Sequence, residues 1–261
     1  MTSKDFVKRI LLGALLLTAL AFSDDAVKIP WANGEQLSFR LSWGFVTAGS
    51  ADMIATPLSD GKFLFESVAR NNGAFKSIYP VADTIRTISK GNNVLPESFK
   101  KILNEGSYHS TSQILFDRKN LKATLSDTVF TNARRQDVKS RVDTTISLNG
   151  YEHCIISAFY RVRNMDLSGK KDTYFSAVSG KKRYSLRVII YGKESVETDL
   201  GKFDCIKVEP VLGDDGAFQA SGRLFIWLTD DERRLPVLMR VKIPIGSIKG
   251  ELVHFRQGNA Q

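Results

Sequence analysis

The sequence predicts a mainly β protein, in which one large antiparallel sheet curves into a barrel-like shape and a single short helix packs on it. Two observations support this fold class. The first is an alternation of apolar and polar residues, a period of two that marks half-buried strands, as in LSFRLSW (37–43) and VLMRVKI (237–243). The second is the presence of turn residues between such runs, for example Asn149-Gly150, which suits a tight hairpin.

The number of these runs determines the shape of the sheet. Their spacing predicts about 12 to 14 antiparallel strands, joined mostly by hairpins. So many twisted strands curl or split rather than stay flat, so we expect a curved or barrel-like sheet. An outer-membrane barrel would alternate in the same way, but its outer face must be apolar over a continuous band. FKKILNEG (99–106) and VETDLGKFD (196–204) do not supply such a band, which disfavours that alternative.

Two stretches depart from the strand pattern. HCIISAFYRVRNMD (153–166) places Ile155, Phe159 and Val162 at helical spacing, which predicts a helix with one face on the sheet. NARRQDVKSRVDTT (132–145) is polar, so we expect a long loop there.

The N-terminal residues have the three parts of a secretory signal peptide. A positively charged start precedes an apolar run (10–22), and small residues allow cleavage near Ala21 or Ser23. The run is shorter than the roughly 20 residues that span a bilayer, and an uncleaved anchor is the alternative. We therefore expect an exported protein that loses its signal peptide (1–23) and keeps a single antiparallel β domain (24–261).

The charge of the chain limits the classes of partner. It carries 37 Lys and Arg against 28 Asp and Glu, a formal net charge of +9. Such an excess favours anionic partners, namely a membrane surface through peripheral contact, an acidic glycan or nucleic acid. Nucleic acid is the weakest of these for an exported protein and is not predicted. A solvated basic surface with no particular partner is the alternative.

The two cysteines, Cys154 and Cys205, leave two interpretations open. An oxidising compartment allows a disulfide between them, whereas their apolar surroundings in sequence favour two buried thiols. No CxxC pair is present, so redox catalysis and a zinc site of the usual spacing lack support.

The search for chemistry predicts no enzyme, no metal site and no cofactor. The three histidines are scattered, an SxxK match (179–182) lies on a predicted turn, and HExxH and phosphate-binding glycine loops are absent from the sequence. Asp230 and Asp231 could bind a cation, but carboxylates in a charged turn more often bond to turn amides and to arginines such as Arg234. GDDG (213–216) lacks the spacing of a calcium loop.

Several blocks of the chain share the pattern of one protein family. NGEQLSFRLSWGFVTAGSADM (33–53) has a Gly-Glu-x-Leu start, then Trp-Gly and a small-residue step, and FKSIYPVADTIRTIS (75–89) follows it. LGKFDCIKVEP (200–210) and GRLFIWLTDDERRLPVLMRVKIPIGSIKGEL (222–252) form the longest match. The chain thereby resembles a bacterial exported family known as domain of unknown function 3108. The resemblance implies a periplasmic, cell-envelope protein with a barrel-like β fold, and it supplies no activity or catalytic residue.

Two hypotheses follow for a non-enzymatic envelope protein of unknown precise role. In the first, the curved sheet encloses an apolar cavity that binds or carries a lipid or another amphiphile. In the second, the protein is a structural scaffold that contacts another envelope protein or an acidic polysaccharide through its surface. A large void between the sheet and the helix selects the first, and a packed interior selects the second. The candidate ligand or motif residues are Trp43, Gly49, Tyr79, Asp83, Phe159, Tyr160, Trp227, Asp230, Asp231 and Arg234.

Overall fold

The structure of the protein is a computed structural model that describes residues 29–169, 172–213, 222–242 and 246–258. The predicted signal peptide and most of GDDG (213–216) lie outside the described residues. The helices are α1 (Gly73–Ile78) and α2 (Ile155–Arg163). In the described part of the chain, neither helix has the length and apolar character needed to cross a membrane. The strands are β1 (Glu35–Trp43), β2 (Val46–Pro57), β3 (Lys62–Asn71), β4 (Ala82–Lys90), β5 (Leu95–Glu105), β6 (Tyr108–Asp117), β7 (Lys122–Phe130), β8 (Val138–Ser147), β9 (Glu152–His153), β10 (Thr173–Ser179), β11 (Lys182–Thr198), β12 (Gly201–Leu212), β13 (Arg223–Thr229), β14 (Pro236–Lys242) and β15 (Ser247–Gln257).

All of these strands belong to one 15-stranded sheet. From β1 to β8 and from β10 to β15, each strand pairs antiparallel with its neighbour in sequence. The first and last strands, β1 and β15, also pair, so the sheet has two arms that join at this pair of strands. β9 pairs in parallel with β10, and β8 and β9 form the edges. The predicted fold class is thus confirmed, with one strand more than the expected range.

The sheet is curved but open, and α2 lies in the opening. Arg118, in the β6–β7 turn, donates hydrogen bonds to the carbonyl oxygens of Pro96 at 3.0 Å and Glu152 at 2.9 Å, and so links β5 to β9. Immediately before α2, the thiol of Cys154 lies 3.0 Å from the hydroxyl of Thr87 on β4. The helix also packs on β10, so it bridges the two arms.

One side of α2 is fixed firmly to the first arm and to the segment that precedes it. The ring of Tyr160 stacks on Phe65 with centroids 3.9 Å apart and meets Trp31 edge-on at 4.8 Å. At the end of the helix, both side chains of the Arg163–Glu35 ion pair are fully buried. The other side of α2 faces the second arm, β10 to β14.

The structure corrects the sequence predictions at three places. The predicted long loop (132–145) is wrong, because 138–147 forms β8, an edge strand. Most of β8 is exposed, and charged side chains such as Lys139 and Arg141 protect a sheet edge from pairing with further strands. The same polar residues remove the alternation of apolar and polar positions from which a strand is predicted. The predicted helix (153–166) is shorter at both ends. Helix α1 was not predicted, because its six residues are too few to show periodicity.

Candidate functional site

A cavity of about 330 Å³ lies between α2 and the inner face of β10 to β14. Its lining is almost entirely apolar: α2 contributes Phe159 and Val162, and the strands contribute Val188, Val208 and Ile226 among others. The volume is near the lower end of the roughly 300–1,000 Å³ of small-molecule sites. Because protein interiors normally pack as densely as organic crystals, this unfilled space is a candidate binding site.

The cavity arises from small side chains at positions that face one another. Alternation along β11 and β12 directs Val188 and Val208 toward α2, where both are buried. Ala158 on the facing side of α2 and Ala177 on β10 carry only a methyl group, so they leave the space between helix and sheet unfilled. A larger side chain at either alanine would occupy the cavity.

The ends of β10 and β12 mark where the cavity approaches the surface. Ser179 is the last residue of β10 and Leu212 the last of β12, and both line the cavity. Ile155, at the start of α2, lines it as well and is 59% exposed. At the opposite end the lining residues Val162 and Leu228 are buried. The cavity therefore has a surface end and an interior end.

The charged groups that border the cavity are already paired. Arg223 donates hydrogen bonds to both carboxylate oxygens of Glu209 at 2.7 Å, and the hydroxyl of Tyr191 donates to the same carboxylate at 2.6 Å. The hydrogen bonds from Arg223 hold the pKa of Glu209 below its ordinary value, so this carboxylate stays ionised. The described residues around the cavity thus offer an occupant apolar contact rather than a free charge.

Phe159, one of the predicted site residues, lines the cavity. Two other predicted aromatic residues, Tyr160 and Trp227, do not line it. Tyr160 points to the other side of α2, and burial raises its pKa above the ordinary value. Trp227 lies on the face of β13 opposite Ile226, where its indole N–H donates to Glu194 of the β11–β12 hairpin. Tyr160 and Trp227 are therefore packed side chains away from the cavity.

Asp230, Asp231 and Arg234 form the β13–β14 turn. One carboxylate oxygen of Asp231 accepts hydrogen bonds from the hydroxyl of Thr229 at 2.6 Å and from the backbone N–H of Arg233 at 3.0 Å. Asp230 accepts a hydrogen bond from Arg234 at 3.2 Å. Asp230 and Asp231 thus make the hydrogen bonds to turn amides and arginines that the sequence predicts as the alternative to cation binding. Within the described ranges, no three His, Cys, Asp or Glu side chains are grouped so that they could hold a metal ion.

The remaining predicted residues surround the end of the sheet where β1 finishes: Trp43, Gly49, Tyr79 and Asp83. The ring of Trp43 meets Phe75 of α1 edge-on at 6.3 Å. A Cβ atom at Gly49 would lie 2.2 Å from the carbonyl oxygen of Arg70, so a side chain there would collide with β3. Asp83 accepts a hydrogen bond from the backbone N–H of Asn104 at 2.9 Å. The structure does not bring these residues to the cavity.

A buried cluster at the start of α2 caps the helix. The hydroxyl of Ser157 accepts a hydrogen bond from the backbone N–H of Cys154 at 3.0 Å and lies 3.2 Å from Nδ1 of His153. Burial lowers the pKa of His153 to about 4, so its ring is neutral at pH 7. Cys154 and Cys205 are both buried and free, which decides between the two interpretations of the cysteines in favour of buried thiols.

Sequence reasoning missed most of the cavity lining. Alternation identifies Val188, Val208 and Ile226 as inward-facing, but it cannot distinguish a packed position from one that borders a void. The available signal is the pair of alanines, Ala158 and Ala177, at inward positions of the helix and of a facing strand. Two small residues opposite each other reduce the volume of side chain that fills the interior.

The fold and the cavity define a class of protein, one with a single curved antiparallel sheet and a helix in its opening. A β-barrel-like protein of domain of unknown function DUF1849 from Brucella abortus has a similar fold, with a TM-score of 0.58 at 11% identity over 88% of this chain and 99% of that chain. The chain itself belongs to the family described as "Protein of unknown function (DUF3108)", whose model matches residues 38–253. This confirms the predicted family.

The other comparisons add little. MucB in complex with MucA(peri) aligns with a TM-score of 0.19 at 8% identity, over 89% of this chain and 96% of that chain. A MucA/MucB complex from Pseudomonas aeruginosa aligns with a TM-score of 0.18 at 10% identity, over 90% and 96%. Similarities this weak carry no argument. No curated protein matches the chain. Neither the family nor the similar DUF1849 structure indicates a catalytic activity.

Proposed function

We propose that this is an exported, non-enzymatic protein of the cell envelope, which binds the apolar part of a lipid or another amphiphile between α2 and β10 to β14. The observation that carries the proposal is the apolar cavity of about 330 Å³. An apolar ligand placed there gains roughly 25 cal/mol for each Å² of apolar surface removed from water. The signal-like N-terminus supports export to the periplasm.

The lining favours a hydrocarbon group over a polar ligand. Apart from Ser179 and the paired Glu209 and Arg223, the described residues that line the cavity have no polar side chain. A buried hydroxyl or amide of a polar ligand would lack partners, at a cost of about 1–3 kcal/mol for each group. An acyl chain has no such groups, and its polar end would remain at the surface end of the cavity, near Ile155.

Binding of a fluorescent acyl-chain probe tests the proposal, together with mass spectrometry of solvent extracts from the purified protein. Ala177→Leu fills part of the cavity, so we expect probe affinity to fall at least tenfold while stability changes by less than about 1.5 kcal/mol. The matched control is Ala133→Leu in the exposed β7–β8 turn, which should bind as the unchanged protein does. Equal probe affinity in Ala177→Leu and Ala133→Leu would contradict the proposal.

Export is tested separately. Cells that express the full chain are fractionated, and the N-terminus of the recovered protein is sequenced. We expect the protein in the periplasmic fraction, starting just after Ala21 or Ser23. Recovery of the full-length chain in the cytoplasm would contradict the proposed location without affecting the cavity.

A further inference from the structure

The length of the cavity follows from the register of the strands that line it. Val208 on β12 pairs with Ile226 on β13, and both residues line the cavity. Leu212, at the surface end, lies four residues beyond Val208 on β12. Leu228, at the interior end, lies two residues beyond Ile226 and pairs with Ile206, so it extends the cavity in the opposite direction. Six strand residues of about 3.3 Å each give a cavity that is about 20 Å long.

The cavity is narrow for its length. A volume of about 330 Å³ over a length of about 20 Å corresponds to a mean cross-section of about 17 Å², or a diameter of about 4.6 Å. Carbon atoms in van der Waals contact lie about 3.5–4.0 Å apart. One extended hydrocarbon chain therefore fills this cross-section, whereas two chains side by side, or a fused ring system, need a wider one.

Packed side chains close the interior end of the cavity. Leu228 and Val162 are buried in the same hydrophobic cluster between α2 and the second arm. Met239 packs against that cluster and also lines the cavity. An apolar chain that enters at the surface end therefore stops at these residues, because a longer chain would have to displace a densely packed part of the core.

These dimensions define how much of a hydrocarbon chain the cavity can bury. A carbon–carbon bond of about 1.5 Å, at a bond angle of about 111°, advances an extended chain by about 1.25 Å, so a cavity of about 20 Å holds about 16 carbons. We propose that the ligand carries one unbranched acyl chain of about 16 carbons, as in a fatty acid or a lysophospholipid, and not the two chains of a diacyl phospholipid. The inference rests on the proposed function, because it names the class of amphiphile that the same cavity takes.

Displacement of the fluorescent acyl-chain probe by two matched lipids tests the number of chains. Decanoyl lysophosphatidylcholine and didecanoyl phosphatidylcholine share a head group and a chain length, and they differ by one acyl chain. In a cavity for one chain the second chain stays in water, so we expect the two affinities to agree within about threefold. A diacyl lipid that binds more than about tenfold more tightly would overturn the inference, because its second chain would then be buried as well.

A chain-length series tests the depth of the cavity. Saturated fatty acids and lysophosphatidylcholines, from decanoyl to eicosanoyl, compete with the probe at concentrations below those at which they form micelles. We expect the affinity to rise with chain length to a maximum at about 16 carbons and to rise no further, because additional carbons stay in water. A rise that continues to eicosanoyl, or no rise beyond decanoyl, overturns the inference. A maximum in either series supports the single chain, and the series that shows it identifies the head group.

Two substitutions at the interior end should move this maximum in opposite directions. Val162→Phe places a ring in the cavity and should shift the maximum to chains shorter by about two to four carbons. Leu228→Ala lengthens the cavity and should shift the maximum to longer chains. The matched control is Val138→Phe at the exposed start of β8, which should leave the maximum unchanged. Thermal unfolding shows whether each variant is folded, and Val162→Phe decides if Leu228→Ala does not fold.

The inference and the proposed function fail in different ways. An unchanged maximum in folded Val162→Phe would show that the interior end does not limit the chain, and the inference would be wrong even if the probe binds in the cavity. Probe binding that Ala177→Leu weakens, together with a large gain from the second chain of didecanoyl phosphatidylcholine, would keep the proposed function and reject the single chain. A protein that binds no acyl probe would reject both.

Discussion

Replacing Glu35 by glutamine tests how firmly α2, the wall of the cavity, is held on the sheet. Arg163 at the end of α2 donates two hydrogen bonds to the carboxylate of Glu35, at 2.6 and 2.7 Å, and both side chains are fully buried. The same guanidinium donates to the carbonyl oxygen of Arg234 at 2.9 Å and lies 5.2 Å from the ring centroid of Trp31. These contacts keep Arg163 in place after the substitution, so its charge would be buried without a counter-ion.

The expected cost follows from that uncompensated charge. Removing one partner of a buried ion pair costs about 3–5 kcal/mol of unfolding free energy. The loss in Glu35→Gln should be near the lower value, about 3 kcal/mol, because the glutamine amide still accepts one hydrogen bond. The matched control is Asp143→Asn, which breaks the exposed Arg141–Asp143 pair and should cost less than about 1 kcal/mol. The double variant Glu35→Gln/Arg163→Met should be more stable than the sum of its two single variants predicts, because no charge remains buried.

Urea unfolding, followed by tryptophan fluorescence, measures these differences. The dependence of unfolding free energy on urea concentration should be the same for all variants, so that midpoints can be compared. If Glu35→Gln lowers the free energy of unfolding no more than Asp143→Asn does, the buried ion pair does not hold α2, and the helix is not a fixed wall of the cavity.

Two further predictions concern buried titratable groups. Burial, and then the charges of Arg118 and Arg161, lowers the pKa of His153 to about 4, whereas an unfolded imidazole titrates near 6.5. The contribution of neutral His153 to the free energy of unfolding should therefore be fully present above about pH 6.5 and fall by up to about 3 kcal/mol as the pH drops toward 4. His153→Gln should remove this part of the pH profile. An unchanged profile in that variant would contradict the prediction. Burial also raises the pKa of Cys205 to about 12, so Cys205 and the buried Cys154 should react with a thiol reagent only after denaturation; fast reaction of the native protein would show that they are accessible.

The sequence predicts a strand well where one face of that strand is buried and the other is not. In LSFRLSW (37–43) of β1, apolar and polar residues alternate because Leu37 and Phe39 point into the hydrophobic core of the protein while Arg40 faces outward. β8 has no such contrast, since its first four residues are all exposed, and its polar sequence is that of a loop. Edge strands are thus the elements that hydrophobic periodicity misses.

The direction of an aromatic side chain is harder to predict than the element that carries it. Phe159 and Tyr160 are adjacent in a helix that was expected, yet one borders the cavity and the other packs against Phe65. Trp227 is covered because the β11–β12 hairpin folds over the outer face of the sheet, where Asp199 accepts a hydrogen bond from Arg40 at 2.6 Å. Contacts between residues so far apart in sequence leave no local pattern.

The attachment of α2 explains how the cavity persists. The side of the helix toward the first arm carries large groups, Tyr160 and Arg163, that are fixed by stacking and by the buried ion pair. The side toward the second arm carries Ala158 and Val162, which are too small to fill the space in front of β10 to β14. A helix held from one side cannot move across to close a void on the other. Because Arg163 keeps its hydrogen bond to Arg234 and Tyr160 keeps its stacking on Phe65 in Glu35→Gln, that variant should lose stability but, while folded, should bind the acyl probe as the unchanged protein does.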